Sequence, residues 1–126
     1  MSKIKAGIIG CGNISDIYLK NLTQVFEEVE VKAVADIIHE RAQAKSREYN
    51  IPKVCSVNEL LADEEIQIVV NLTIPKAHAE VCLAALEAGK NVYVEKPLAI
   101  TREDGKLILE KAEEKGLLVG CAPDTF

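Results

Sequence analysis

Short runs of apolar residues alternate along the chain with longer segments whose apolar positions recur at helical spacing. Unbroken runs such as Ile68-Val69-Val70 are typical of strands that are covered on both faces. Ser56 and Glu59 have the spacing of a capping box and predict a short helix there. The pattern predicts strands over residues 3–9, 29–35, 54–55, 66–72, 91–94 and 117–121, and helices over residues 13–26, 39–49, 76–88 and 101–115.

Strands joined by helical crossovers run parallel, and the crossovers are right-handed. The sequence therefore predicts an α/β fold, a doubly wound parallel sheet of six strands in the order 3-2-1-4-5-6. Residues 1–126 are expected to form one dinucleotide-binding domain. In such a sheet, ligands bind beyond the carboxyl ends of the strands, so the residues that follow strands one, two, four and five are the candidates for function.

A glycine-rich turn follows the first strand directly. Gly10 allows a sharp turn without a Cβ clash, and Gly12 lets the backbone approach a phosphate closely. Ser15 stands where a third glycine is common, and its small side chain still allows close helix–strand packing. Together with Asn13 and Ile14, these residues are predicted to bind a pyrophosphate at the start of a helix. A purely structural turn is the alternative.

Asp36 ends the second strand, where a carboxylate can accept hydrogen bonds from both hydroxyls of an adenosine ribose. Its alternative role is a cap for the following helix. The carboxylate favours NAD over NADP, because it would repel a 2′-phosphate. Ile37 and Ile38 supply no cation for that phosphate, although Arg41 lies one helical turn further on.

Two further strand exits carry polar groups. After strand four, Thr73, Ile74 and Pro75 form a loop that enters a helix, and His78 on the first turn is interpreted as structural rather than catalytic. After strand five, the segment Glu95-Lys96-Pro97 places two charges at the same edge of the sheet. Proline stiffens this exit and can direct Lys96 inward. A solvated strand end is the alternative.

Composition limits the range of partners. The chain has 126 residues, 48% of them hydrophobic, and a net charge of −5, which argues against a nucleic acid or an anionic membrane as partner. No signal peptide and no spanning segment are indicated, and the four cysteines lack a CxxC spacing. A cytoplasmic protein with reduced thiols and no metal site is expected.

These motifs together resemble the amino-terminal domain of the glucose–fructose oxidoreductase / inositol dehydrogenase (Gfo/Idh/MocA) family. The resemblance rests on the glycine turn, the segment VADIIHERA and the segment LAALEAGKNVYVEKPLA, of which Glu-Lys-Pro is the most specific part. Two departures are Ile74, inserted into the usual Thr-Pro pair, and Asn91, where the family often has histidine.

The resemblance implies NAD(P)-dependent hydride transfer on a sugar, cyclitol or other polyol. It implies that Lys96 lies near the nicotinamide ribose and the reacting hydroxyl and contributes to catalysis. Pro97 would shape that loop, while residues 73–76, including Thr73, Ile74 and Pro75, would line the cofactor groove. Glu95 is expected among the cofactor-binding residues.

Family members have a second domain with the substrate pocket and an Asp/His pair, and this chain contains neither. We therefore expect the chain to bind NAD, or less favourably NADP, without turning over a polyol alone. The substrate and the oligomeric state stay open. Two alternatives are a non-catalytic dinucleotide sensor or interaction module and, with less support, an S-adenosylmethionine-dependent methyltransferase.

Overall fold

The computed structural model describes residues 4–12, 15–22, 28–95 and 101–121. Within these ranges, strands and helices alternate from the first element to the last. The strands are β1 (Ile4–Ile9), β2 (Val29–Ala35), β3 (Lys53–Val54), β4 (Ile68–Asn71), β5 (Asn91–Val94) and β6 (Val119–Cys121). The helices are α1 (Ser15–Lys20), α2 (His39–Tyr49), α3 (Val57–Ala62), α4 (Pro75–Glu87) and α5 (Arg102–Lys115).

The described strands form one parallel sheet in the order β3-β2-β1-β4-β5-β6, which confirms the predicted fold and strand order. Strand β1 lies in the middle of the sheet, where Ile8 pairs with Val34 of β2 and with Val70 of β4. The exits of β1, β2 and β4 therefore meet at one edge, and the exit of β5 lies beside them.

Both faces of the sheet are covered. On one face, Ile8 packs with Leu19 of α1 and Ala42 of α2. On the other face, Ile9 belongs to a larger cluster that includes Leu60 of α3 and residues of α4 and α5. The alternation of neighbouring β1 side chains between the two faces is what a doubly covered strand requires.

The predicted element ends agree closely with the structure. The bounds of β2, α2 and β5 are those predicted, and the capping box is present, with Ser56 Oγ accepting from the Glu59 N–H at 3.1 Å. Strand β4 is shorter than predicted because Ile66 N donates to Asp63 O in a turn before it. Residues 13–14 and 23–26 of the first predicted helix lie outside the described residues. No helix among the described residues has the length and apolar character needed to cross a membrane.

A carboxylate at the opposite edge of the sheet makes stability depend on pH. Asp63 caps the end of α3, and its Oδ2 lies 2.6 Å from Lys32 Nζ and 3.5 Å from Lys53 Nζ. The hydrogen bond from Lys32 holds the pKa of Asp63 at about 2, below its ordinary value. A carboxyl group whose pKa is lower in the folded state stabilises the fold above its unfolded pKa and loses that contribution as the pH falls.

We predict that the free energy of unfolding falls as the pH drops from about 4 to about 2, with Asp63 contributing on the order of 1 kcal/mol. Asp63→Asn should remove this part of the pH dependence, whereas Glu64→Gln, at an exposed neighbouring position, should keep it. Urea unfolding of both variants at a series of pH values measures how the free energy of unfolding depends on pH in each. If the free energy of unfolding fell with pH in parallel for the Asp63→Asn variant and the unchanged protein, Asp63 would not be the source of this pH dependence.

Candidate functional site

The strand exits that the sequence singled out lie along the carboxyl edge of the sheet. Gly10, Gly12, Ser15, Asp36, Thr73, Ile74 and Glu95 are among the described residues, and Pro75 is the first residue of α4. Asn13, Ile14, Lys96 and Pro97 lie outside the described residues, so their predicted roles stay predictions.

Gly10 joins the glycine turn to the exit of β4. It has a φ of +102°, a conformation that L side chains rarely adopt. A Cβ at this position would lie 2.6 Å from the carbonyl carbon of Leu72 and 2.8 Å from the nitrogen of Thr73. Both are backbone atoms, so the clash could not be relieved by the movement of a side chain. The turn therefore lies directly on the chain that leaves β4.

Gly12 and Ser15 have different surroundings. Apart from the chain neighbours of Gly12, no atom of the described residues lies within 4 Å of a Cβ placed on Gly12, so none of them fills the space at this part of the turn. Ser15 is fully buried, and its Oγ donates to Gly12 O at 2.6 Å. The serine is thus buried at the start of α1, and its hydroxyl hydrogen is used within the turn; its close packing between helix and strand stays a prediction.

The Asp36 carboxylate spans the gap between the exits of β1 and β2. Its Oδ2 accepts from the Cys11 N–H at 2.6 Å, and its Oδ1 accepts from the Ile38 N–H at 2.7 Å. It is not the N-cap of α2, because Ile38 occupies that position without a side-chain cap. An ionised carboxylate has about four acceptor sites, so each oxygen keeps one for a ligand.

Cys11 contributes its backbone rather than its thiol. The Sγ lies 3.7 Å from Ala35 O within the protein. Burial, followed by the nearby Asp36 carboxylate, raises the pKa of the Cys11 thiol to about 12. The thiol is therefore neutral and a poor nucleophile at ordinary pH. Cys55 and Cys82 are also buried, and neither is joined in a disulfide.

A buried amide that sequence reasoning missed organises the exit of β4. The Asn71 Oδ1 accepts from the Thr73 N–H at 3.2 Å and from the Thr73 hydroxyl at 2.6 Å, while its Nδ2 lies 3.0 Å from His78 O. His78 is buried, and its Nε2 lies 2.7 Å from Thr73 O. His78 therefore supports the loop, in agreement with its structural interpretation. A polar residue at the end of an apolar strand was the available signal for Asn71.

Large apolar side chains flank the turn on both sides. Ile37, after β2, is 94% exposed, and Ile74, after β4, is 68% exposed. Exposed apolar groups beside backbone donors and a carboxylate suit a ligand that combines a flat apolar ring with polar groups. Sequence reasoning selected Ile74 but gave Ile37 no contact role.

The exit of β5 is tied to α1. The Glu95 N–H donates to Asn71 O at 3.1 Å, and the Tyr18 hydroxyl donates to Glu95 Oε2. The Tyr18 ring also packs against Tyr93, with centroids 6.2 Å apart. Burial and the bond to Glu95 raise the pKa of Tyr18 above its ordinary value. Sequence reasoning assigned Tyr18 to the apolar side of a helix and missed this contact.

Comparison with known proteins identifies relatives of this chain. A family model described as "Oxidoreductase family, NAD-binding Rossmann fold" matches residues 4–122. The chain is 38% identical over 115 residues to inositol 2-dehydrogenase of Salmonella typhimurium, covering 90% of this chain and 34% of that protein. It is 31% identical over 117 residues to scyllo-inositol 2-dehydrogenase (NADP(+)) of Bacillus subtilis, covering 92% of this chain and 32% of that protein.

A solved structure has the same architecture. Myo-inositol dehydrogenase from Lactobacillus casei, in complex with NAD(H) and myo-inositol, superposes with a TM-score of 0.87 at 36% sequence identity. The alignment covers 94% of this chain and 36% of that one. The chain thus spans about a third of the length of the relatives that it matches.

The two glycines of the turn should respond differently to a methyl group. Gly10→Ala meets backbone atoms in a conformation unfavourable to alanine, so we expect it to lower the free energy of unfolding by about 3 kcal/mol or more. Gly12→Ala meets no atom of the described residues other than its chain neighbours, so the change should stay within about 0.5 kcal/mol. Chemical denaturation of the two variants tests this. Equal losses would show that the environments of the two glycines are not distinct.

Proposed function

Because the chain belongs to the Gfo/Idh/MocA oxidoreductase family, with its NAD-binding Rossmann fold, we propose that it is the cofactor-binding part of a dehydrogenase that acts on a cyclitol, sugar or similar polyol. The observation that carries this proposal is the Asp36 carboxylate, which is fixed across the glycine turn by two backbone N–H groups.

The glycine turn would hold the pyrophosphate of the cofactor. Open space at Gly12 gives the phosphates access to the backbone, whereas a side chain at that position would occupy the same space. Asn13 and Ile14 would complete this cradle, with Ser15 packed beneath it. Two backbone hydrogen bonds already orient the Asp36 carboxylate. Little conformational entropy would therefore be lost at Asp36 when the cofactor binds.

Asp36 would bind the adenosine ribose. Each of its oxygens carries one backbone hydrogen bond and keeps a second acceptor site, one for each ribose hydroxyl. A 2′-phosphate would bring a second negative charge against this carboxylate. We therefore propose NAD as the preferred cofactor, although relatives of this chain include an enzyme named for NADP(+).

The two neighbouring exits would form the sides of the groove. Ile37 and Ile74 would offer apolar surface to the adenine, and Thr73 and Pro75 would line the groove beside Ile74. With the adenosine over β2, the second mononucleotide would extend over β4 and β5, because the fold consists of two mononucleotide-binding halves.

The nicotinamide ring, when bound, supplies the site that accepts or donates hydride. Glu95, Lys96 and Pro97 would lie beside it, with the Lys96 ammonium donating a hydrogen bond to the reacting hydroxyl or to the ribose. The substrate pocket and the Asp/His pair of the family would come from a second domain, so the isolated chain is proposed to bind cofactor without turnover.

The relatives named above act on inositols according to their names, which makes a cyclitol the favoured member of the polyol class. The buried thiols described above are in keeping with a reducing compartment, and we propose the cytoplasm. Neither proposal depends on the oligomeric state, which the chain leaves open.

Titration with NADH and NADPH tests cofactor binding. We predict saturable binding of NADH and weaker binding of NADPH, followed by cofactor fluorescence or calorimetry at fixed ionic strength. Gly12→Ala, which should not disturb folding, is expected to weaken both cofactors because it occupies the phosphate approach. Absence of saturable binding of either cofactor would sink the proposal.

A second titration tests the ribose assignment. Asp36→Ala should weaken NADH by about 10- to 150-fold, which corresponds to about 1.5–3 kcal/mol for a charged hydrogen bond. Asp36→Asn keeps an acceptor for the backbone while removing the charge, so it should raise the affinity for NADPH relative to NADH. The ratio of the two affinities is insensitive to a general loss of stability. An unchanged NADH affinity in Asp36→Ala would rule out the ribose role.

A further inference from the structure

The Tyr18–Glu95 hydrogen bond joins two parts of the site that are far apart in sequence. Tyr18 lies on α1, the helix that begins at Ser15 in the glycine turn. Glu95 directly follows β5 and directly precedes Lys96. The bond therefore links the pyrophosphate side of the groove to the side assigned above to the nicotinamide half.

Glu95 is held from two directions. Its N–H continues the sheet ladder to Asn71 O at 3.1 Å, and its carboxylate accepts the Tyr18 hydroxyl. The ladder bond fixes where the chain leaves β5, and the second bond fixes the side chain at that point. Removing the second bond would leave a half-buried carboxylate without this donor and would let the side chain turn toward water.

Tyr18 is itself restrained. Its ring packs against Tyr93 of β5, tilted by 55° with centroids 6.2 Å apart. Its hydroxyl stays protonated over the neutral range, because burial and the Glu95 carboxylate raise its pKa. It can therefore donate to Glu95 at any pH at which the protein is ordinarily studied.

We infer that Tyr18 is a positioning residue for the nicotinamide half of the cofactor site, acting through the Glu95 side chain at the exit of β5. The inference rests on the proposed function. It assigns Tyr18 no contact with the cofactor; the tyrosine orients Glu95.

Two ligands separate this role from a general structural one. ADP-ribose contains the adenosine, the pyrophosphate and the second ribose but lacks the nicotinamide ring, whereas NADH contains all of these. Tyr18→Phe removes only the hydroxyl. We expect it to weaken NADH by about 3- to 10-fold while changing ADP-ribose affinity by less than about twofold.

Tyr49→Phe is the matched control. Tyr49 also donates its hydroxyl to a carboxylate, Asp16 Oδ1 at 3.3 Å, but it lies on α2 away from the exit of β5. The control variant should bind both ligands like the unchanged chain. Circular dichroism and thermal unfolding of both variants check that the fold is retained.

Glu95→Ala, which removes the acceptor for the Tyr18 hydroxyl, and the double variant test the route of the effect. If Tyr18 acts through Glu95, the double variant should lose no more NADH affinity than the single variant that binds NADH less tightly. Additive losses would overturn the inference, as would an unchanged NADH affinity or equal losses for NADH and ADP-ribose in Tyr18→Phe. Failure of the proposed function gives a different result, because the unchanged chain would then bind neither ligand.

Discussion

The close approach of Gly10 to the backbone of Leu72 and Thr73 is the constraint on which the site depends. Two chain segments meet there without an intervening side chain, and the distances leave no room for one. Because β1 is central, this contact sets the glycine turn relative to β4, and the Gly10 N–H bond to Ala35 O sets it relative to β2. Backbone contacts thus place the strand exits of the candidate site relative to one another.

The polar groups around this contact satisfy one another before any ligand is present. Asp36 accepts two backbone N–H groups, Asn71 holds Thr73, and Tyr18 holds Glu95. Such bonds reduce the number of orientations that a side chain can adopt, so less entropy is lost when a ligand is bound. Beside these polar groups, Ile37 and Ile74 expose apolar side chains to solvent.

The sequence predicted the strand order and most element bounds because apolar runs and caps are local signals. It also located the relevant strand exits, since parallel topology brings them to one edge. It could not predict that Asp36 binds the Cys11 N–H, because every residue except proline has a backbone N–H and the residue type therefore does not indicate which one a carboxylate contacts. Nor could it predict the Tyr18–Glu95 contact, because helical spacing places a tyrosine on a face without naming its partner. Asn71 was similarly hidden inside an apparent strand.

In its proposed role, the Asp36 carboxylate would both bind the ribose and hold the glycine turn, and this would limit how the site can change over evolution. A substitution that admits a 2′-phosphate must remove the negative charge and must still supply an acceptor for the Cys11 N–H, which would otherwise be left unpaired beside the turn. Short polar residues such as serine or asparagine meet both conditions, whereas alanine meets only the first. A change of cofactor preference would therefore be restricted to a few mutational routes, since selection for binding and selection for folding would act on the same atoms.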